Sequence, residues 1–336
     1  MRRITIREVA RRAGVSYQTV SRVINNSPDV SVETREQVQR AIADLDYHPN
    51  AQAVSLSRNR SNIVGMIVDR AGDSFFGPMV DGACQALAER GRFMLLAQTD
   101  NLEQPSAIEA LLRSRRIDGL ILVLPLEPSL EQARNLVKSQ LPLVLVDLQY
   151  DIDADYISVD SYRGAYAATK HLIELGHRRI GIVYNRQDIP VGLVRLSAYQ
   201  AALQDYGIAF DPVLALPGKW GVASGKEGAE QLLALSERPT AIFTCDDQMA
   251  IGALQTIYRH GLRVPEDISL VGFDDIEYAQ YLHPPLTTVR QPLREMGYTA
   301  GEHICRMIDG TMIGRLQLTL ASTLIIRDST APPANL

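Results

Sequence analysis

From Ile63 onward, short apolar runs alternate with stretches of helical periodicity, and this alternation limits the possible fold more than any other feature of the chain. The first run is Ile63-Val64-Gly65-Met66-Ile67-Val68, and further runs fall at 92–97, 119–124, 143–147, 179–184, 241–245 and 269–273. A strand that is apolar at successive positions has no face for water, so it belongs in a parallel sheet covered on both sides by helices. Stretches such as 78–90 supply the covering helices and the crossovers. The series restarts near Tyr162, which predicts an α/β body of two doubly wound parallel-sheet lobes. Segments at 287–291 and 321–326 read as strands that pass between the halves. On this reading the first lobe takes about residues 62–160 and 290–320, and the second about 161–289 and 321–330.

The first sixty residues follow another period. Thr5-Ile6-Arg7-Glu8 is a Thr-x-x-Glu capping box that opens a short helix burying Ile6, Val9, Ala10 and Ala13. Gly14 then supplies the backbone freedom for a sharp turn. In the next helix Val20, Val23 and Ile24 share one face, while Tyr17, Gln18, Ser21 and Arg22 share the other with no acid among them. A helix, a glycine turn and a second helix with a hydrogen-bonding outer face make the helix-turn-helix pattern, whose second helix enters the DNA major groove. Ser31 caps a third helix over 32–45, with Val38, Ala41, Ile42 and Leu45 as its core stripe. Pro49 ends it, and Asn50 caps a short segment that runs into a polar linker. The expected organisation is an all-α helix-turn-helix head over 1–49, a hinge helix and linker over 50–61, and the body over 62–330.

Charge divides the same way. The net charge of −5 is the balance of +4 over residues 1–60 and −9 over the rest, which suits a DNA-contacting head on a body that leaves DNA alone. Cys84, Cys245 and Cys305 are far apart and lack metal spacing, so they read as buried thiols in a reducing compartment. No apolar run has membrane-spanning length and Met1-Arg2-Arg3 leads straight into the capping box, so a cytoplasmic protein without a membrane partner is expected. No G-x-G-x-x-G or G-x-x-x-x-G-K-[ST] follows a strand, so neither an enzyme nor a cofactor or metal is expected. The acid pairs Asp246-Asp247 and Asp274-Asp275 stand at strand ends before helices, where ligand bonding or capping suits them better than acid–base catalysis.

Ligands of doubly wound sheets bind beyond the carboxyl ends of the strands. The polar and aromatic residues at such places are Phe75, Phe76, Asp147, Arg195, Trp220, Asp246 and Asp274. Carboxylates and a guanidinium for hydroxyl pairs, with an aromatic ring for a C–H face, would suit a sugar. Competing readings are core packing for Trp220, a structural salt bridge for Arg195 with Asp274, and helix capping for Asp247 and Asp275.

Three motifs give the chain a resemblance to the LacI/GalR family of bacterial transcription regulators. They are E-V-A-x-x-A-G-V-S from Glu8, T-V-S-R-V-I-N from Thr19, and Y-x-P-N-x-x-A-x-x-L at Tyr47, Pro49, Asn50, Ala53 and Leu56. The resemblance runs to about residue 328. It implies that Tyr17, Gln18 and Arg22 read base edges and that Thr5, Ser16, Ser21, Asn25 and Ser31 hold phosphates. Asn50, Ala53 and Leu56 fall in the family's hinge, with Leu56 implied to wedge into the minor groove. The body is implied to resemble periplasmic sugar-binding proteins, with Asp147, Arg195, Trp220, Asp246 and Asp274 on the effector and Phe75 or Phe76 as a wall. The implied partners are a pseudo-palindromic double-stranded DNA operator, a small-molecule effector, and a second copy of the chain in a homodimer. A sugar is the first choice of effector and a purine or nucleoside the alternative.

Tyr17-Gln18 matches the lac branch of the family, where many members carry Val-Ala, so a lac-like half-site is expected. Val123, Leu293 and Asp246 depart from that branch, so its galactosides do not carry over. The tail at 327–336 has no leucine heptads, and no tetramerising helix is expected. The hinge is too short to hold a helix alone. It is expected to fold beside its copy on DNA, and the effector to act through its differential affinity for two lobe angles.

Overall fold

In the computed structural model the chain divides into two compact units, one of residues 1–62 with 115–117 and one, the body, of residues 63–114 with 118–336. The structure describes residues 4–25, 27–48, 60–98, 116–123, 141–147, 153–185, 190–312 and 314–334. The hinge candidates Asn50, Ala53 and Leu56 lie outside these residues.

The head consists of α1 (Ile6–Ala13), α2 (Tyr17–Ile24) and α3 (Val32–Asp44). The capping box forms: Thr5 donates to the Glu8 carboxylate from its backbone N–H at 2.8 Å and from its hydroxyl at 3.0 Å. Gly14 closes α1 with a φ of 65°, the left-handed conformation the turn requires. Ser16 Oγ accepts from the Thr19 N–H at 3.1 Å and Ser31 Oγ from the Thr34 N–H at 3.3 Å, so each following helix has its cap. Val9, Ala10, Ala13, Val20, Val23, Val38, Ala41 and Tyr47 make the core. Ile6, Ile24, Ile42 and Leu45, expected inside it, are half-buried at its margin, because so small a unit keeps much of its surface in water.

The body begins with β1 (Ile63–Val68), α4 (Phe76–Glu89), β2 (Phe93–Gln98), β3 (Gly119–Val123), β4 (Leu143–Val146) and β5 (Tyr156–Val159). The next elements are α5 (Ser161–Glu174), β6 (Ile180–Asn185), α6 (Pro190–Asp205), β7 (Ala215–Gly218), α7 (Val222–Leu233), β8 (Ala241–Thr244), α8 (Asp247–Arg259) and β9 (Ser269–Val271). The chain then crosses through β10 (Thr288–Arg290), α9 (Leu293–Asp309), β11 (Gln317–Leu320) and β12 (Thr323–Ile325). Among the described residues the first lobe is a parallel sheet in the order β11-β5-β4-β3-β1-β2 and the second a parallel sheet in the order β7-β6-β8-β9. Crossing strands β10 and β12 form a separate antiparallel pair. The residues that follow β1 and β4 in one lobe, and β7, β8 and β9 in the other, line one cleft.

Three strands were not expected. β7 reads Ala-Leu-Pro-Gly and β11 alternates exposed with half-buried residues; both are edge strands, where one neighbour suffices and a continuous apolar run is unnecessary. β5 is four residues long with Ser158 buried in its middle, too short and mixed for a clear pattern. Cys84, read as buried, is exposed on α4, off the stripe formed by Met79, Ala83, Ala86 and Leu87.

Among the described residues each lobe contains one close helix crossing built on a pair of glycines. Where α4 meets α9, a Cβ on Gly297 would lie 1.9 Å from the Met79 carbonyl and one on Gly82 2.1 Å from that of Arg294. Where α7 meets α8, a Cβ on Gly225 would lie 1.9 Å from the Met249 carbonyl and one on Gly252 2.0 Å from that of Val222. Backbone in the way cannot rotate aside as a side chain can, so these helices touch only because the side chain is missing. Gly297→Ala is expected to destabilise the body by ~1–3 kcal/mol through overpacking. Gly77→Ala on α4, where nothing lies within 4 Å of the added carbon, is the matched control and should be nearly neutral. Thermal unfolding of both variants checks the contrast.

Candidate functional site

The cleft between the two sheets encloses about 580 Å³ of space with the open solvent at its mouth included. Its walls come from the places the topology dictates. Asp69 follows β1, and Asp73, Phe75 and Phe76 lie at the entrance to α4. Asp147 follows β4, and Arg195 lies near the start of α6. Trp220 and Gly221 follow β7, Asp246 and Gln248 adjoin the start of α8, and Asp274 and Ile276 come after β9. All seven effector candidates from the sequence, Phe75, Phe76, Asp147, Arg195, Trp220, Asp246 and Asp274, line this one cavity.

Arg195 is 2% exposed, and a cation so buried must be held. Its Nη1 donates to the Cys245 carbonyl, and Nη2 lies 4.0 Å from Asp274 Oδ1. Its Cζ sits 3.7 Å from the centre of the Phe273 ring and 5.8 Å from that of Trp220. Nε is buried without an acceptor. Asp274 adopts a φ of 119°, a strained conformation for a residue with a side chain. Its N–H donates to the Val289 carbonyl at 2.8 Å, and its Oδ1 accepts from Gln291 Nε2 at 2.6 Å. The salt-bridge reading of Arg195 with Asp274 is thus a long contact within a cluster, not a closed pair. Trp220 is half-buried, packing on the second-lobe core while also lining the cleft.

The acid pairs divide their work differently from the expectation. Asp246 caps α8, accepting from the Met249 N–H at Oδ1 and from the Gly221 N–H at 3.3 Å at Oδ2. Burial pushes its pKa up to about 6, while those two N–H groups and Arg195 pull it down. Asp247, expected as the cap, is one residue too late for it. It is fully buried and accepts from the Ile276 N–H at 2.9 Å and the Thr288 hydroxyl at 2.5 Å. Burial raises the pKa of Asp247 and Asp274 as well. Asp275 is not a cap either: it pairs with Arg290 at 2.7 Å and Arg327 at 2.6 Å, and Ile276 precedes the 3₁₀ turn that follows.

Residues the sequence reading missed are Asp69, Asp73 and Gln248. Gln248 Nε2 donates to Asp73 Oδ1 at 2.7 Å, a hydrogen bond between the two lobes. Asp69 had the same signal as Asp147, an acid directly after an apolar run. Asp73 and Gln248 had none, since only the fold brings them together. Of the three departures from the lac branch, Asp246 lines the cleft, whereas Val123 and Leu293 belong to the first-lobe core.

On the head, Tyr17 is 54% exposed and Gln18 and Arg22 are exposed with it along α2. Thr5, Ser16 and Ser31 stand at the N-termini of α1, α2 and α3, where backbone N–H groups and the helix dipole favour phosphate. Their hydroxyls also serve the caps, and Asn25 Nδ2 donates to Ser21 Oγ at 3.5 Å. Among the described residues no His, Cys, Asp and Glu cluster could hold a metal, and no helix is long and apolar enough to cross a membrane.

Residues 5–50 match the family model described as bacterial regulatory proteins, lacI family, and residues 169–330 match a periplasmic binding protein-like domain. The ribose operon repressor of Haemophilus influenzae is 38% identical over 328 residues, covering 97% of this chain and 98% of its own. The chain belongs to the LacI family. Among solved structures, the lac repressor dimer bound to operator and the anti-inducer ONPF matches with a TM-score of 0.87 at 31% identity, over 98% of this chain and 100% of that one. A complex of the transcriptional regulator CelR with cellobiose matches with a TM-score of 0.75 at 33% identity, over 97% and 100%. This LacI-family chain is a transcriptional repressor and not an enzyme.

The buried cap carries a pH signature. The folded pKa of Asp246, about 6, lies above its ordinary 3.8. Folding therefore retains a proton in that interval, and stability is lost as pH rises through about 6. Asp246→Asn keeps a capping oxygen and removes the charge. The variant should gain on the parent by ~1–3 kcal/mol as pH rises from about 3.8 through about 6. Unfolding curves taken across that range check this, and a constant difference would contradict it.

Proposed function

We propose that this repressor binds a pseudo-palindromic operator as a homodimer and releases or tightens its hold when a sugar enters the cleft. The observation that carries the reading is the convergence of Arg195, Asp274, Asp147, Asp246, Trp220 and the Phe75-Phe76 pair on one cavity at the carboxyl ends of two parallel sheets. Carboxylates accept from hydroxyl pairs, Arg195 Nε lacks an acceptor, and aromatic rings suit the C–H faces of a sugar ring. The ribose operon repressor and the cellobiose complex among its relatives support a saccharide. Tyr17, Gln18 and Arg22 read the operator, which we expect to have a lac-like half-site with Leu56 at its centre.

Effector control requires that the ligand bind one lobe angle better than the other, since equal affinity shifts nothing. Asp274→Asn is expected to abolish the ligand response while leaving effector-free operator binding nearly intact. Leu56→Ala is expected to keep ligand binding and lose operator affinity. Arg22→Ala should cost roughly 1–3 kcal/mol and relax selectivity at one guanine. Operator titrations with and without sugar, at one fixed salt concentration, separate these effects. If Leu56→Ala binds operator like the parent, the wedge is wrong; if purines and not sugars raise the melting temperature, the sugar reading is wrong.

A further inference from the structure

The features of the cleft that would draw an anion already hold the protein's own carboxylates. A helix N-terminus is a ready seat for phosphate because its N–H groups lack intrahelical partners. Helices α4 and α8 start at the cleft from opposite lobes. At α8 the seat is taken by Asp246, 5% exposed, which accepts from the Met249 and Gly221 N–H groups. At α4 no side chain caps the first turn, but a carboxylate stands beside it: Asp73 Oδ1 accepts at 3.0 Å from the N–H of Phe75, the residue that precedes the helix.

The cations are engaged too. Arg70 lies 3.5 Å from Asp69 and 3.7 Å from Asp73, and Arg195 is shared between the Cys245 carbonyl and Asp274. Among the described lining residues, five aspartates face two arginines.

We infer that the effector is a non-anionic polyhydroxyl compound, a free sugar and not a sugar phosphate, sugar acid or nucleotide, and that Asp73 and Asp246 exclude the anion. The inference rests on reading the cleft as the effector site. A phosphate there meets carboxylates at both helix starts, and like charges brought together in a partly dry cavity repel strongly. Hydroxyl groups meet the opposite situation, because ionised carboxylates are acceptors only and hydroxyls supply the donors. The hydrogen bond from Gln248 holds the Asp73 carboxylate at the seam between the lobes, so closure keeps that charge facing whatever the cleft contains.

Trp220 is the sole tryptophan of the chain and lines the cleft, so its emission reports occupancy directly. The full chain is titrated at constant ionic strength with inorganic phosphate, and with the matched pairs ribose and ribose 5-phosphate, and adenosine and its monophosphate. Phosphate alone should give no saturable change. In whichever pair binds, the phosphorylated member should bind at least about tenfold more weakly. Asp73→Asn should narrow that gap; an unchanged gap would remove Asp73 from the inference. A saturable response to phosphate, or a phosphorylated compound that binds more tightly than its parent, would overturn the exclusion. Binding of adenosine with weak binding of its monophosphate would defeat the sugar reading and leave the exclusion standing. If neither pair binds, the phosphate titration alone decides.

Discussion

A carboxylate without access to water ties the floor of the cleft to the strands that cross between the lobes. Asp247 sits in the first turn of α8, and burial is costly for such a group unless hydrogen bonds replace its hydration. They come from the Ile276 N–H beyond β9 and from the hydroxyl of Thr288 on crossing strand β10. Gly272 makes the room, since a Cβ there would lie 2.1 Å from Asp247 Oδ1. One side chain thus anchors a helix, a cleft-lining loop and a strand of the passage between lobes. The cleft floor and the crossing cannot shift independently while that anchor holds.

Burial disfavours the charged form of the other carboxylates near the cleft as well. The charges of Asp246 and Asp247 raise the pKa of Asp274, and those of Asp246 and Asp275 raise that of Asp247, on top of the desolvation that has already raised both. Hydroxyl donors would favour the charged carboxylates and relieve that tension. Sites that bind strongly are often held in such a strained state by the fold around them.

Much of this was legible in the sequence, and the reason is periodicity. Buried parallel strands such as β1, β3 and β4 are apolar at nearly every position, so they stand out from helices and loops. The carboxyl-end rule then located Asp147, Asp246 and Asp274 without coordinates. What escaped followed from tertiary context. The edge strands β7 and β11 carry no continuous apolar run. The roles of Asp246 and Asp247 turned on a one-residue shift in where α8 begins, a boundary that local pattern does not resolve. The Asp73–Gln248 bond joins residues far apart in the chain, and no local signal marks either.

The discontinuous first lobe also has a consequence for how the chain is made. Its core packs α4 against α9, and Arg92 meets Asp309 at 2.6 Å across 217 positions of sequence. The second lobe's sheet and helices, by contrast, lie within one uninterrupted stretch from α5 to β9. On a ribosome delivering the chain from its N-terminus, the later lobe can assemble its sheet while the earlier one still lacks the helix that seals it. The first lobe cannot close its core until α9 has been made. The apolar face of α4 awaits a partner that arrives only after most of the protein has been synthesised.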